Sequence, residues 1–249
     1  MTHPYNSARA ILPASQKSKL LAICSLALFL PLNACQGGGD GDVTGNLIGF
    51  LPTPPTNNTP TTPSSGLNAR DWEIGPIIDG KNYSKNVPAT PTQNGEGWYI
   101  DLPTSDGVHY VTHRYGSLSG KSKMTIRYRI EMADGVKIVP STDPSGPAIG
   151  PTLYFQRKGD DWRTDGWRWW ATFSSPVPIV AGEFEVTAPL DGPWTSVNTK
   201  TATANPVDFA NAKANAERVG FTLGGGTGFG HGVYATGPAR LVVTSFTIE

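Results

Sequence analysis

Pro151 to Phe173 reads PTLYFQRKGDDWRTDGWRWWATF, and four of the chain's seven tryptophans fall inside it. Two aromatic, alternating segments, 152–157 and 166–173, flank a charged centre. Lys158–Gly159–Asp160–Asp161 and Thr164–Asp165–Gly166 supply turn chemistry between them, so the stretch is expected to form two strands joined by a charged loop. Successive side chains of a strand point to opposite faces. Leu153, Phe155 and Arg157 then share one face of the first strand, and Tyr154 and Gln156 the other. In the second, Trp167, Trp169, Ala171 and Phe173 oppose Arg168, Trp170 and Thr172. The first set is apolar enough for a core. The second mixes flat rings with hydrogen-bonding groups, a surface suited to a sugar with its apolar C–H face and polar rim. The competing expectation is that the rings are simply core and the charges a solvated loop.

The totals agree with a β-rich chain. It has 249 residues, 29 glycines and 22 prolines, with 16% charged and 10% aromatic residues. That is enough for one domain with a real core and many turns. A formal net charge of zero with no basic cluster argues against nucleic acid as a partner. The only cysteines are Cys24 and Cys35, so the remainder of the chain can hold neither a disulfide nor a thiolate metal site.

The start of the chain has its own logic. Arg9, Lys17 and Lys19 precede an apolar run, Leu20–Leu32. At about 13 residues it is too short for a permanent span of ~20 residues, and it has the proportions of a signal-peptide core. It ends in Leu32–Asn33–Ala34–Cys35, which resembles the lipobox of bacterial lipoproteins. That resemblance implies removal of residues 1–34 and lipidation of Cys35, and Gln36 after the cysteine implies outer-membrane sorting in a Gram-negative cell. Several acyl chains, at about 0.8 kcal/mol per buried methylene, would hold the protein on the envelope membrane. Residues 35–69 form a Gly/Thr/Pro-rich linker that cannot bury enough apolar surface to order itself and acts as a semi-rigid spacer.

Residues 70–249 alternate short strands with Gly, Pro, Asn and Asp clusters. Asp71–Ile78 is expected as an edge strand because of Pro76. Gly97–Leu102, Gly107–His113, Val219–Leu223 and Ala239–Ile248 also read as strands, and Ala133–Gly150 as a long loop. Lys123–Met132 has the cleanest alternation, with Met124, Ile126, Tyr128, Ile130 and Met132 on the core side. Asn205 as N-cap and Pro206 at the first helical position open a short helix to about Arg218, with Phe209, Ala212 and Ala216 inward. The pattern predicts an all-β fold, a two-sheet antiparallel β-sandwich with one short helix near the C-terminus.

The late order of Trp194, the Phe209 helix, VGFTL at 219–223 and the closing strand 241–248 resembles galactose-binding-like jelly rolls of carbohydrate-binding modules. That resemblance implies a jelly-roll topology, a glycan ligand and a structural calcium, with Glu249 and Asp79 as candidate ligands. No other cofactor is expected.

Other chemistries fare less well. His109 and His113 lie in a strand, where four residues at ~3.3 Å each separate them by roughly 13 Å, too far to share a metal. The glycine loop 224–232 lacks a P-loop ending and leads to no helix, although its His231 could touch a ligand. Asp160, Asp161 and Asp165 sit on one loop, whereas a glycosidase needs two carboxylates across the bond. Tyr154–Phe155–Gln156–Arg157 resembles the Tyr-Phe-Lys segment of alginate lyases, but that family's Gln-x-His partner is missing. The site expected is therefore a binding site made of Tyr154, Gln156, Arg157, Trp162, Arg168, Trp170 and His231, with no catalytic residue. The function expected is that of a membrane-anchored, polysaccharide- or oligosaccharide-binding lipoprotein. The alternatives are an envelope lipoprotein without a small ligand, and a polysaccharide lyase or glycoside hydrolase.

Overall fold

The structure is a computed structural model that describes residues 67–249 apart from 85, 86, 176, 227 and 228. The signal-peptide, Cys35 and most of the linker expectations lie outside the described residues. Leu67 and Ala69 are already buried, and the Gln93 side chain binds both, accepting from the Ala69 amide at 2.7 Å and donating to the Leu67 carbonyl at 3.2 Å. The folded region thus begins before residue 70.

In chain order the strands are β1 (Trp72–Ile74), β2 (Ile77–Ile78), β3 (Lys81–Asn82), β4 (Thr92–Gln93), β5 (Trp98–Asp101), β6 (Tyr110–Arg114), β7 (Lys123–Met132) and β8 (Ile138–Pro140). There follow β9 (Ala148–Arg157), β10 (Arg168–Ala171), β11 (Gly182–Pro189), β12 (Trp194–Ser196), helix α1 (Pro206–Ala214), β13 (Ala216–Gly225), β14 (Val233–Ala235) and β15 (Ala239–Ile248). A six-stranded sheet runs β1-β6-β13-β9-β10-β12 and a five-stranded sheet runs β11-β7-β15-β5-β4, every pair antiparallel. Their facing sides share one apolar core. Leu153, Phe155, Trp169, Val219 and Phe221 come from the first sheet, and Trp98, Ile126, Tyr128, Leu241 and Val243 from the second. Trp98 bridges the layers, its ring 4.9 Å from Trp72 and stacked 6.3 Å from Phe221. The described residues form an all-β sandwich with one short α-helix.

The five-stranded sheet turns its other face to water. Arg127 pairs with Glu185 at 2.5 Å, Arg129 with Glu131 at 2.8 Å, and Thr125 with Thr187 at 2.9 Å. This is the half-buried alternation expected of β7. On the six-stranded sheet the inward set of β9 and β10 is the one the alternation assigns to core, and α1 closes the sheet's end. Phe209 wedges its ring against Trp169 at 4.9 Å and Phe155 at 5.8 Å.

Four expectations need correction. Asp71–Ile78 breaks at Gly75–Pro76: β1 is the edge strand, while β2 pairs with β3 as a separate hairpin. The helix stops at Ala214, because Asn215 caps it by bonding back to Asn211 and the chain from Ala216 joins the sheet as β13. Asn205 does not cap with its side chain, which instead donates to the Thr201 carbonyl at 3.1 Å. The segment 133–150 is not one loop, since β8 pairs with distant β14, a partnership invisible locally.

Candidate functional site

The outer face of the six-stranded sheet is where the sequence places its ring-and-donor surface, and the register shows its construction. One row crosses all six strands: Glu73, Thr112, Gly220, Tyr154, Trp170 and Thr195 stand opposite one another in turn. The next row is Arg114, Arg218, Gln156 and Arg168. At about 4.8 Å between strands, neighbouring side chains of a row touch. Gly220 is required where it stands: its φ is +156°, and a Cβ there would run into the Val111 carbonyl oxygen of β6. Its missing side chain leaves a dip in the row between Thr112 and Tyr154.

The rings form a second apolar cluster, separate from the main core, of Tyr110, Tyr154 and Trp170. Tyr154 meets Tyr110 and Trp170 at 5.3 Å each. Trp162, Val197 and Phe229, all half-buried, pack on this group from the solvent side, with Trp162 5.3 Å from Tyr110 and Phe229 5.5 Å from Trp170.

Loops rather than a sheet roof the face. The 158–167 loop is anchored by Asp160, whose carboxylate accepts from Arg168 Nη1 at 3.0 Å and from the Trp162 amide at 2.8 Å. Trp162 adopts φ +67°, and the Arg168 guanidinium lies 4.8 Å from its ring centre. The β2–β3 hairpin is held through the Ile77 carbonyl, which receives Gln156 Nε2 at 2.8 Å and Trp162 Nε1 at 2.9 Å. Tyr154 donates to Gln156 Oε1 at 3.1 Å. Burial pushes the Tyr110 and Tyr154 phenols far above their ordinary range, so both are neutral donors. Burial also pushes the Asp160 carboxyl up, with Arg168 opposing it.

Three buried donors on this face have no hydrogen-bond partner among the described residues: Thr112 Oγ1, Trp170 Nε1 and Arg218 Nε. Their residues are 1%, 5% and 1% exposed. Arg218 does reach Glu73 of β1 through Nη1. Buried polar groups are normally satisfied, so three unused donors on one face are notable.

Of the seven residues expected in the site, five meet here. Tyr154, Gln156, Arg168 and Trp170 are buried under the roof, and Trp162 forms part of it. The expected open stacking surface on Trp170 is therefore covered, because Phe229, 59 residues further along the chain, packs on its ring, and Trp162 of the loop leading into β10 folds back over the same cluster. Arg157 does not join them: its guanidinium lies over Trp167 at 4.3 Å. His231 is exposed, at φ +71°, and pairs across the glycine loop with Gly224. It lies near enough to His109 to help burial lower that imidazole's pKa. His109 and His113 are both half-buried, as a strand reading expects. Tyr110, Thr112, Arg218 and Phe229 belong to the face and were missed. The alternation of 107–113 already put Tyr110 and Thr112 on one side, but nothing local says that β6 and β13 lie beside β9.

The candidate calcium ligands do not converge. Glu249 pairs with Lys123 at 3.1 Å, and the Asp79 amide donates to the Asp160 carbonyl. Among the described residues no three His, Cys, Asp or Glu side chains come together as a metal site. An open cleft of about 560 Å³ lies beside the five-stranded sheet, between Asp101, Glu131, Met132, Pro238 and Arg240. Its rim charges already pair with one another and with Arg129.

No protein-family model and no curated protein matches the chain. Among solved structures it is similar to Xylanase10C (mutant E385A) from Cellvibrio japonicus in complex with xylopentaose, at 15% identity and a TM-score of 0.37. The likeness covers 72% of this chain and 27% of that one, so this chain spans about a quarter of that protein, and at this level the likeness carries no argument about ligand or activity.

Proposed function

We propose that this protein is a glycan-binding module held on a bacterial envelope membrane through a lipidated Cys35, and that its ligand engages the outer face of the six-stranded sheet. The observation that carries this reading is the composition of that face. A sandwich sheet that merely met water would carry ion pairs like those of the five-stranded sheet. This one carries three rings, a glutamine and two arginines beneath loops, with three donors left unused. Rings supply flat apolar area and donors fix orientation, the combination that small-molecule sites use. Entry is at the half-buried rim of Trp162, Val197 and Phe229. The β2–β3 hairpin gives way at the cost of the bonds to the Ile77 carbonyl, each worth about 1 kcal/mol net.

Retardation of the purified domain in polysaccharide-containing native gels tests the reading. Trp162→Ala is expected to lose retardation while keeping the fold; unchanged retardation removes this face from the site. A second reading has its own support. The full burial of Tyr154 is also what a purely structural second core would show, and an envelope lipoprotein without a small ligand would show no retardation on any glycan.

A further inference from the structure

We infer that the ligand of this face is an uncharged glycan, held through hydroxyl and ring oxygens by Thr112, Trp170 and Arg218, and that uronate- or sulfate-bearing glycans are disfavoured. The inference rests on the glycan-binding reading above and narrows it. Its first support is the charge count. Each arginine that the sheet buries on this face already has its own carboxylate: Arg168 has Asp160, at 4% and 0% side-chain exposure, and Arg218 has Glu73. A charge moved out of water is tolerated only where an opposite charge compensates it. With both guanidinium groups matched, an incoming carboxylate would meet no uncompensated cation among the described residues of the face, and would meet two anions.

The second support is the polarity of what is unused. Trp170 Nε1 can only donate, and so can Arg218 Nε. Thr112 Oγ1 is also free to donate. The partner that satisfies them is a set of acceptor oxygens, which sugar hydroxyls and ring oxygens provide without charge. Their placement suits one ligand. Thr112 and Trp170 stand in the same cross-strand row, on either side of the dip at Gly220 and the Tyr154 ring, and Arg218 precedes Gly220 by two residues on β13. A sugar lying along that row would set its apolar face on rings and its edge oxygens against the three donors.

The test uses the full folded domain with two groups of soluble probes: neutral ones (arabinoxylan, glucomannan, galactomannan) and anionic ones (alginate, polygalacturonate, a sulfated galactan). Affinity is measured for wild type, Thr112→Val and Trp170→Phe. Val keeps the shape of Thr without the hydroxyl, and Phe keeps a ring without the N–H. The expected result is binding within the neutral group, weakened on the order of 3- to 10-fold by each variant; the melting temperature is expected to be unchanged or raised for Thr112→Val, which removes an unsatisfied donor, and lowered for Trp170→Phe, which also empties buried ring volume. Tighter binding of the anionic probes overturns this inference and leaves the glycan-binding reading standing. Neutral binding that both variants leave unchanged overturns the assignment of the donors. Absence of binding to either group defeats the glycan-binding reading itself, and this inference with it.

Discussion

Replacing Asp160 by alanine is expected to destabilise the domain by about 3–5 kcal/mol, because it strands the Arg168 charge beneath the roof. The magnitude follows from geometry. The Asp160 side chain is fully buried and Arg168 is 4% exposed, with Nη1 at 3.0 and 3.3 Å from the two carboxylate oxygens. The same carboxylate holds the Trp162 amide at 2.8 Å, so its loss also frees the turn that carries the Trp162 ring. In a domain of this size each kcal/mol moves the midpoint by about 2–4 °C, which puts the Asp160→Ala midpoint roughly 6–20 °C below wild type. The assay is thermal unfolding followed by tryptophan fluorescence for wild type, Asp160→Ala, Arg168→Met and the double variant. Removing both partners takes away the uncompensated charge, so the double variant is expected to be more stable than Asp160→Ala alone. A cost below about 1 kcal/mol for Asp160→Ala would refute the reasoning. It would mean that Arg168 finds water once the carboxylate is gone, and that the 158–167 loop does not seal the face.

Three further perturbations probe the frame around the site. Phe209→Ala removes the ring that α1 wedges against Trp169 and Phe155, and is expected to cost about 3–5 kcal/mol in chemical denaturation; a cost under 1 kcal/mol would mean that α1 is not part of the core. Gly220→Ala drives a Cβ into the Val111 carbonyl and is expected to destabilise the β6–β13 pairing, seen as faster amide exchange at Val111 and Phe221; protection equal to wild type would contradict the close approach. His113 is held below the usual imidazole range by burial, its ring 4.4 Å from Trp72. The native state therefore binds fewer protons than the unfolded chain, and stability is lost as pH falls through about 6.5, the unfolded value. His109, lowered by burial and by His231, acts with the same sign. His113→Phe is expected to flatten the fall in midpoint between about pH 7 and 5, and an unchanged slope counts against a neutral buried His113.

What the sequence made legible was local. Lys123–Met132 and Ala239–Ile248 match β7 and β15 at both ends, because each is an uninterrupted run that opens just after turn residues, near Gly120 in one case and at Gly237–Pro238 in the other. The division of the tryptophan hairpin into a core face and a second face followed from the two-residue period alone and is correct residue by residue for β9 and β10. What was not legible was everything carried by distant segments. Gln156 bonds a carbonyl 79 residues away, and Tyr110 lies 44 positions before its neighbour Tyr154. Side-chain alternation says that Tyr154 and Trp170 leave the main core; it cannot say that Ile77, Trp162 and Phe229 fold over them. Arg157 shows the same limit, since its flexible stem settled on Trp167, a flat neighbour beside the strand's end, rather than swinging to the other face.

The seven indole N–H groups offer the most direct measurement. In a ¹H–¹⁵N spectrum of the domain titrated with a neutral oligosaccharide, the Trp170 signal is expected to move most, since its N–H has no partner among the described residues, and the Trp162 signal to move with it as the bond to Ile77 is exchanged. Trp169 and Trp194, whose indoles donate to the Gly166 and Pro189 carbonyls, and Trp72 and Trp98 in the main core, are expected to stay in place. A titration in which Trp162 and Trp170 remain fixed while ligand binds would place the glycan elsewhere and contradict the account.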